Sequence, residues 1–184
     1  MTVGLGGLSG ARPVARAYAR ARMLPRRTRW RAARYCVVDL ELSGLDPRVH
    51  EIISFGAVPI DDGRVRLAGA VHSLVRPSRA FDDGAVTIHG IRAADLVGAP
   101  PLERALDAML DAMAGRVLVA HHAPVEQAFL APALRQAGVR LRGPIIDSAL
   151  VARLWLAERD GAPPQRLPLG ELAALCGLPS HSPH

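Results

Sequence analysis

The segment Tyr35–Asp46, which reads YCVVDLELSGLD, decides the fold of this chain. Its first half is a run of strand-forming residues that ends at a glycine turn, which is typical of a buried strand. Residues two apart project from the same face of a strand, so Asp39 and Glu41 share one face. Two such charges at a buried strand end favour a divalent cation, and carboxylate oxygens suit the hard ion Mg²⁺. The alternative is a strand end at which both acids face water.

The length and composition of the chain fit one domain. It has 184 residues, enough for a single core, and 49% of them are hydrophobic. No run approaches the ~20 consecutive apolar residues of a membrane span, so we expect a cytoplasmic protein without a membrane partner. Cys36 and Cys176 lie in apolar runs, which favours two buried, reduced thiols over a disulfide.

Positive charge is concentrated near the N-terminus. The net charge is +6, and all 23 basic residues are arginine. Nine of them precede Tyr35, where there is no acid, whereas the rest of the chain has a balance of −3. We therefore divide the chain into an Arg-rich arm, residues 1–34, and a mildly acidic domain, residues 35–184. The arm can contact phosphates without sequence preference or form a solvated lead-in, and Trp30 is a candidate to dock it on the domain.

The pattern after Tyr35 predicts an α/β fold with a mixed sheet flanked by helices. Three strands that include the hairpin signal Asp61-Asp62-Gly63 form an antiparallel meander. Alternating strands and helices follow, and a strand reached through a helix runs parallel to the first. The predicted strands are Tyr35–Leu42, Glu51–Ile60, Arg64–Val75, Val117–Ala120 and Pro144–Ile146.

Helices are predicted from apolar stripes and from their end signals. The clearest is Leu102–Met113, whose apolar residues share one face. The next helix starts near Pro124, and Pro132 is expected to kink it or restart it. Asp147 or Ser148 caps the helix after that. A last helix, Leu167–Cys176, is expected to bury Leu169, Leu172, Leu175 and Cys176.

A second polar cluster follows the predicted strand Val117–Ala120. His121 and His122 come directly after it, and Glu126 lies one helical turn further on. Polar residues between a strand end and a helix start are where open α/β sheets place their sites. The alternatives are local capping by the histidines and helix-dipole compensation by the glutamate. Because Asp39 and Glu41 lie at the end of the first strand, we favour a metal site that these two acids share with Glu126.

Three segments, in this order, resemble the motifs of the DnaQ-like 3′–5′ exonuclease family, which has a ribonuclease-H-like fold. VVDLELSGLDP resembles the first motif, Asp-x-Glu-Thr-x-Gly, and LVAHHAPVEQAFL resembles the second, His-Asn-Ala-x-x-Asp-x-x-Phe-Leu. LGELAALCGLPSHSPH resembles the approach to the third, His-x-x-x-x-Asp. The segments EIISFGAV and TIHGI also stand at the family's places. The resemblance runs from Tyr35 to the last residue, and three motifs in order are fairly specific.

This chain departs from the family's motifs at several positions. Leu42 replaces the usual Thr, although its backbone amide can still meet a nucleotide. His122 replaces Asn, and Glu126 replaces Asp with one methylene more. His184 fits the catalytic histidine of the third motif best, with His181 as its rival. The fourth carboxylate then falls beyond the last residue, so we expect the exonuclease domain to be incomplete at its C-terminus.

The resemblance implies a metal-dependent enzyme that hydrolyses phosphodiester bonds at the 3′ end of DNA or RNA and releases nucleoside monophosphates. It implies two Mg²⁺ or Mn²⁺ ions as cofactors. The implied partners are single-stranded 3′ ends and, as a candidate, a DNA polymerase. The implied catalytic residues are Asp39, Glu41 and the general base His184, the implied metal ligands are Asp39, Glu41 and Glu126, and the implied substrate contacts are Leu42, Gly44 and His122.

A nucleic-acid-binding module of the same fold is the competing hypothesis. In that case Glu126 and the missing carboxylate leave the site inert, and the Arg-rich arm grips a strand. Aromatic residues are only 4% of the chain, which argues against a dedicated base-stacking module. His50, His72 and His89 receive no catalytic role, and His89 is expected to be structural.

Overall fold

A computed structural model describes residues 12–25, 27–79, 89–162 and 164–179. Its six strands form one sheet in the order β3-β2-β1-β5-β6, with β4 also paired to β2. The strands are β1 Tyr35–Leu42, β2 Ile52–Asp61, β3 Arg64–Val65, β4 Val71–Leu74, β5 Val117–Ala120 and β6 Ile145–Asp147. The helices are α1 Pro13–Arg20, α2 Leu102–Met113, α3 Ala123–Gln136, α4 Ser148–Asp160 and α5 Leu169–Leu175.

The mixed sheet predicted from the sequence is confirmed. Strand β1 pairs antiparallel with β2 along its whole length and parallel with β5 on its other side. Strand β6 extends the parallel half of the sheet beyond β5. The two strand ends that carry the polar clusters of the sequence therefore lie side by side.

The core forms where α2 and α3 pack on the sheet. Apolar residues at helical spacing turn one face of each helix inward, where they are withdrawn from water. Burial of each such side chain stabilises the fold by about 1.5–3 kcal/mol. Fully buried members of this core are Leu106, Met109, Leu110, Met113, Leu118, Leu130 and Leu134.

Of the part of the chain that the structure describes, no helix is both long and apolar enough to cross a bilayer.

The single strand predicted over Arg64–Val75 is wrong, because the chain forms β3, a short 3₁₀ turn and then β4. The interruption lies opposite Pro59 of β2, whose carbonyl accepts a hydrogen bond from the Arg66 N–H over 2.9 Å. Proline has no N–H to return, so the ladder cannot continue past it. The turn also lets Gly69 approach the Pro59 ring.

Helix α3 continues through Pro132, so of the two predicted outcomes the restart is wrong, and the kink stays a prediction. Proline removes one backbone hydrogen bond from a helix interior. Two apolar residues on each side of Pro132 are buried and hold the helix against the sheet. They are Phe129, Leu130, Ala133 and Leu134.

The last helix is shorter and more exposed than predicted. Leu169, Leu175 and Cys176 are exposed, so their predicted burial is wrong. Among the described residues, α5 packs on α4 through Leu172 alone, because seven residues offer only one inward turn. Cys36 is free and buried as predicted.

The Arg-rich arm contributes the helix α1, which packs on α2. Ala15 and Tyr18 are buried in the main core, so this part of the arm is not a solvated lead-in. Trp30, the predicted docking residue, is 62% exposed. The carbonyl of Trp30 nevertheless accepts a hydrogen bond from the Tyr35 hydroxyl over 2.8 Å.

Candidate metal centre

Strand β1 delivers two acids to the same side of the sheet. Its residues alternate between buried and more exposed positions, so Leu40 points into the core while Asp39 is exposed and Glu41 is half-buried. This alternation is the one expected from the sequence, because side chains of a strand point to opposite faces in turn.

Glu126 is brought beside these two acids by the parallel pairing of β5 with β1. Its side chain projects from the first turns of α3 and is buried, with 6% of its surface exposed. The pKa of Glu126 is raised to about 8, chiefly by burial and in addition by the charges of Asp39 and Glu41. Because the charges of Asp39 and Glu41 raise the pKa of Glu126, the three carboxylates form one electrostatically coupled cluster.

The chemistry of this cluster fits a hard cation. Oε2 of Glu126 is buried and has no hydrogen-bond partner among the described residues. A buried carboxylate oxygen without a partner is costly, and a divalent ion would satisfy it. As they stand, no three described His, Cys, Asp or Glu side chains close around one ion. An ion held here therefore needs water or substrate oxygens as additional ligands, which is usual for Mg²⁺.

A cleft of about 310 Å³ lies beside the two acids of β1, near the lower limit of ligand clefts. Its floor follows the register of the sheet. Asp39 lies opposite Gly56, and Gly56 lies opposite His72, so one row runs across three strands. A Cβ atom on Gly56 would meet nothing within 4 Å, so the floor between Asp39 and His72 is open. The lining residues are Asp39, Glu41, Ser54, Gly56, His72, Leu74, His89 and Ile91.

Two histidines that received no role from the sequence line this cleft. His72 is exposed, and its Nε2 lies 3.1 Å from the Ser54 hydroxyl. His89 is buried, and its Nδ1 accepts a hydrogen bond from the Ile91 N–H over 3.1 Å. The signal that could have found His72 was the alternation of β4, once the register with Gly56 is known.

His121 has a structural position between three segments of the chain. Its Nε2 lies 3.1 Å from the Leu167 carbonyl, and its Nδ1 lies 3.0 Å from the Ser148 hydroxyl. Because a carbonyl can only accept, the Nε2 carries a proton, and the ring ties the segment before α5 to the start of α4. His121 therefore has a structural role, but through bonds to distant segments of the chain rather than the local capping that the sequence left open.

His122 begins α3 in the left-handed backbone region, with φ of 64°. Asn, Asp and His are the side-chain-bearing residues most often found there, which explains how His can stand at this position. Its N–H donates to Oδ1 of Asp147 over 3.2 Å, while its ring is exposed. Asp147 also caps α4 through the N–H groups of Ala149 and Leu150, as predicted for Asp147 or Ser148.

The turn after β1 is held by close packing and hydrogen bonds among the residues between Leu42 and the next strand. Leu42 is buried, and the ladder shifts register at this point. A Cβ atom on Gly44 would overlap the ring of His50, so glycine is required by a close approach. Nδ1 of His50 in turn accepts the Asp46 N–H over 3.0 Å. His181 and His184, the two candidates for the general base, lie outside the described residues.

Comparison with known proteins gives a consistent picture. The RNase T family model, described as exonuclease, matches residues 36–184. The PolC-type DNA polymerase III of Thermotoga petrophila is 33% identical over 129 residues, which are 70% of this chain and 9% of that protein. The DNA polymerase III subunit epsilon-like protein of Rhodobacter capsulatus is also 33% identical over 129 residues, which cover 69% of this chain and 18% of that protein. This chain thus spans less than a fifth of either relative.

The fold also has neighbours among solved structures. Escherichia coli exonuclease I in complex with a dA16 oligonucleotide superposes with a TM-score of 0.67. The sequence identity is 16%, and the match covers 82% of this chain and 37% of the other. At this identity the likeness concerns the fold, which is the mixed sheet with flanking helices described above.

Proposed function

The chain belongs to the RNase T exonuclease family, and from this premise we propose that it is a metal-dependent 3′–5′ exonuclease. It would hydrolyse phosphodiester bonds at the 3′ end of DNA or RNA and release nucleoside monophosphates. The observation that supports this most is the buried Glu126, whose pKa is raised to about 8 beside Asp39 and Glu41. Carboxylates whose pKa is strongly perturbed by burial and by neighbouring charges are typical of functional sites.

The three carboxylates are the proposed ligands of Mg²⁺ or Mn²⁺. Asp39, near the end of β1, would be the ligand shared by two ions, and Glu41 and Glu126 would be further ligands. When two such ions are bound, they supply charge stabilisation for the attacking and leaving oxygens of a phosphodiester. Glu126 reaches the cluster with a longer side chain than Asp, and its orphan Oε2 is the atom that gains most from an ion.

The remaining roles belong to groups around the cluster. His184 is the proposed general base, because an imidazole has a pKa close to working pH. The backbone of Leu42 and Gly44 and the exposed ring of His122 are the proposed contacts of the terminal nucleotide. The open floor at Gly56 gives that nucleotide room beside Asp39.

The proposed partners follow from the relatives. Two of them are named as DNA polymerase III proteins, and one solved neighbour holds an oligonucleotide. We therefore propose single-stranded 3′ ends as substrate, a DNA polymerase as partner and the cytoplasm as location. DNA and RNA substrates can be separated by assaying both.

The test is hydrolysis of a 5′-labelled oligonucleotide with Mg²⁺, Mn²⁺ or EDTA. We expect the label to report a ladder that shortens from the 3′ end with either metal, and EDTA to stop it. Asp39→Ala should abolish hydrolysis, whereas Asp111→Ala, which removes an exposed acid of α2, should leave it unchanged. Full activity of Asp39→Ala would disprove the assignment.

A binding module without activity is the second candidate, and the absence of a closed three-ligand group among the described residues favours it. Titration calorimetry with Mn²⁺ separates the two. The enzyme should release heat that Asp39→Ala and Glu41→Ala remove. A chain that binds oligonucleotides but no Mn²⁺ would be the module.

A further inference from the structure

The C-terminal end of α1 and the described residues that follow it in the Arg-rich arm lie at the end of the sheet opposite to the metal centre. The N–H of Val117, where β5 begins, donates to the Arg34 carbonyl over 2.9 Å. Beside it, Gly115 approaches both the Arg22 carbonyl and the Arg34 guanidinium. The two halves of the arm, before and after residue 26, therefore meet where β1 and β5 start.

The arm is held there by specific contacts. The guanidinium of Arg142 donates hydrogen bonds to the last carbonyls of α1, from Tyr18, Ala19 and Ala21. The backbone N–H of Arg142 donates to the Tyr18 hydroxyl over 3.2 Å. At the other end of α1, Arg12 lies 3.0 Å from Asp107. The arginines that follow are thus displayed on a folded support.

The positive charge at this end is not balanced by described acids. The arm contains no Asp or Glu. Asp61, which lies beside the start of β1, is already paired with Arg116, and Asp107 is paired with Arg12 at the other end of α1. Six arginines of the arm are exposed and form no ion pair with a described carboxylate. We call this set the arginine end; it consists of Arg20, Arg22, Arg27, Arg29, Arg31 and Arg34.

An exposed aromatic ring lies among these arginines. Trp30 has 62% of its surface exposed, and the Arg31 guanidinium stacks over its ring at 4.0 Å from the centroid. The turn Trp30–Ala32 is fixed by the bond from the Tyr35 hydroxyl. Cations bind any anionic surface, but an aromatic ring flanked by arginines suits phosphates together with unpaired bases. The combination therefore favours a single-stranded nucleic acid over an acidic protein or a lipid surface.

We propose that the arginine end is a second binding site, which holds the backbone of a single-stranded nucleic acid away from the metal centre. Tyr35 and Glu41 are six residues apart on β1, which corresponds to about 20 Å. A stacked strand rises about 3.4 Å per nucleotide, so roughly six stacked nucleotides span that distance. A stacked 4-mer falls short of it, whereas a 20-mer contacts both sites.

The experiment measures fluorescence anisotropy of labelled oligothymidylates of 4 and 20 nucleotides with the 184-residue chain. EDTA is present so that no hydrolysis occurs, and salt is varied from about 50 to 200 mM. The variant Arg29→Gln/Arg31→Gln is compared with Arg104→Gln/Arg166→Gln, which removes the same charge from exposed positions outside the arm. We expect the first pair to lower the salt slope for the 20-mer by about 1.4, since each phosphate contact contributes about 0.7.

Two further readouts make the result specific. Trp30→Ala should weaken binding of the 20-mer at least about fivefold, because stacking on an aromatic ring is lost. Neither change should affect binding of the 4-mer. Equal effects of the two arginine pairs would overturn the proposal, and so would equal weakening of both oligonucleotides. Binding to anionic phospholipid vesicles without binding to the 20-mer would overturn it in favour of a membrane surface.

Failure of this site can be told apart from failure of the proposed activity. With Mg²⁺, the Arg29→Gln/Arg31→Gln variant should still hydrolyse the 4-mer at the rate of the unchanged chain. An unchanged chain that hydrolyses nothing but shows the salt slope and the Trp30 effect would retain the arginine end and lose the exonuclease.

Discussion

The two ends of the central strands β1 and β5 differ in their charges: opposite charges are paired at one end, and like charges lie together at the other. Where β1 starts, the acid Asp61 is paired bidentately with Arg116, and Arg142 binds the carbonyls of α1. Toward the end of the same strand, the carboxylate end, Asp39, Glu41 and Glu126 form a cluster of one sign. There the largest perturbation is a buried acid whose pKa is about 8.

The ion pairs at the start of β1 stabilise the fold, whereas the like charges at the carboxylate end destabilise it. Opposite charges at the start of β1 tie distant segments together, because each partner satisfies the other. Like charges at the carboxylate end lower stability when ionised, and such local conflict is expected at functional sites. The two ends should therefore respond to mutation and to pH in opposite directions.

The largest effect is expected from Tyr18→Ala, which removes an aromatic anchor of α1. Tyr18 is 3% exposed, and truncation of a buried aromatic costs about 3–5 kcal/mol. We expect the free energy of unfolding, measured in urea, to fall by that amount. Tyr18→Phe keeps the ring and loses only the hydroxyl, so it should cost about 1 kcal/mol. A loss below 1 kcal/mol for the alanine variant would mean that α1 unfolds separately from the sheet.

The next effect has the opposite sign and lies at the carboxylate end. An unfolded glutamate loses its proton near pH 4.5, whereas folded Glu126 holds it to about pH 8. Between these values the folded state binds the extra proton, so stability falls as pH rises through the window. Glu126→Gln removes this penalty, and we expect it to raise the free energy of unfolding at pH 7 by about 3 kcal/mol relative to its effect at pH 4.5.

This prediction is measured by urea unfolding at both pH values in EDTA. Glu158→Gln, a change at an exposed acid of α4, is the matched control and should show no such difference. Mg²⁺ should also flatten the pH dependence of the unchanged chain, because a bound cation replaces the proton. If Glu126→Gln changes the free energy of unfolding by the same amount at pH 7 and at pH 4.5, the raised pKa of this carboxylate is contradicted.

Most of the carboxylate end could be predicted from the sequence because its signals are local. The alternation of apolar residues and acids in YCVVDLELSGLD determines which side Asp39 and Glu41 take. A helix between two strands makes them parallel, which brought Glu126 beside the first pair. The cleft was not predictable in the same way, because His72 and Gly56 share a row only through the register of β4, which Pro59 interrupts.

The start of β1 shows why the rest could not be predicted. Arg142 and Tyr18 are separated by 124 residues, and no local pattern links them. The sequence indicated a weakly patterned basic segment and offered Trp30 as its anchor, but Tyr18 provides the anchor instead. Similarly, the apolar spacing of Leu169 and Leu175 predicts a buried face, whereas burial depends on which elements cover the helix.

A substitution in the cleft tests whether activity depends on open space for the nucleotide as well as on the charges of the carboxylate end. A side chain at Gly56 would meet no atom within 4 Å, and β-branched residues suit a strand, so Gly56→Val should fold normally. The valine would fill the floor between Asp39 and His72 and displace the nucleotide. We expect hydrolysis to fall about 100-fold, which corresponds to about 2.7 kcal/mol, with Mn²⁺ binding unchanged.

Gly56→Ala adds a single methyl group and should lose less activity than the valine variant. Gly170→Ala, in the remote helix α5, also meets open space and should change nothing. If Gly56→Val retains full activity on a 4-mer, the terminal nucleotide does not bind over Gly56.

The smallest effect concerns the ion pair at the start of β1. Its contribution to stability should depend on pH in the opposite sense to that of Glu126. Arg116 holds the pKa of Asp61 below its ordinary value of 3.8, chiefly through hydrogen bonds. A lowered pKa adds stability above pH 3.8 that is lost as pH falls through the folded value, which is the reverse of Glu126. Asp61→Asn should therefore cost about 1 kcal/mol at pH 7 and less at pH 2, as expected for a partly exposed pair. An equal cost at both pH values would show that Asp61 acts through its shape and hydrogen bonds rather than its charge.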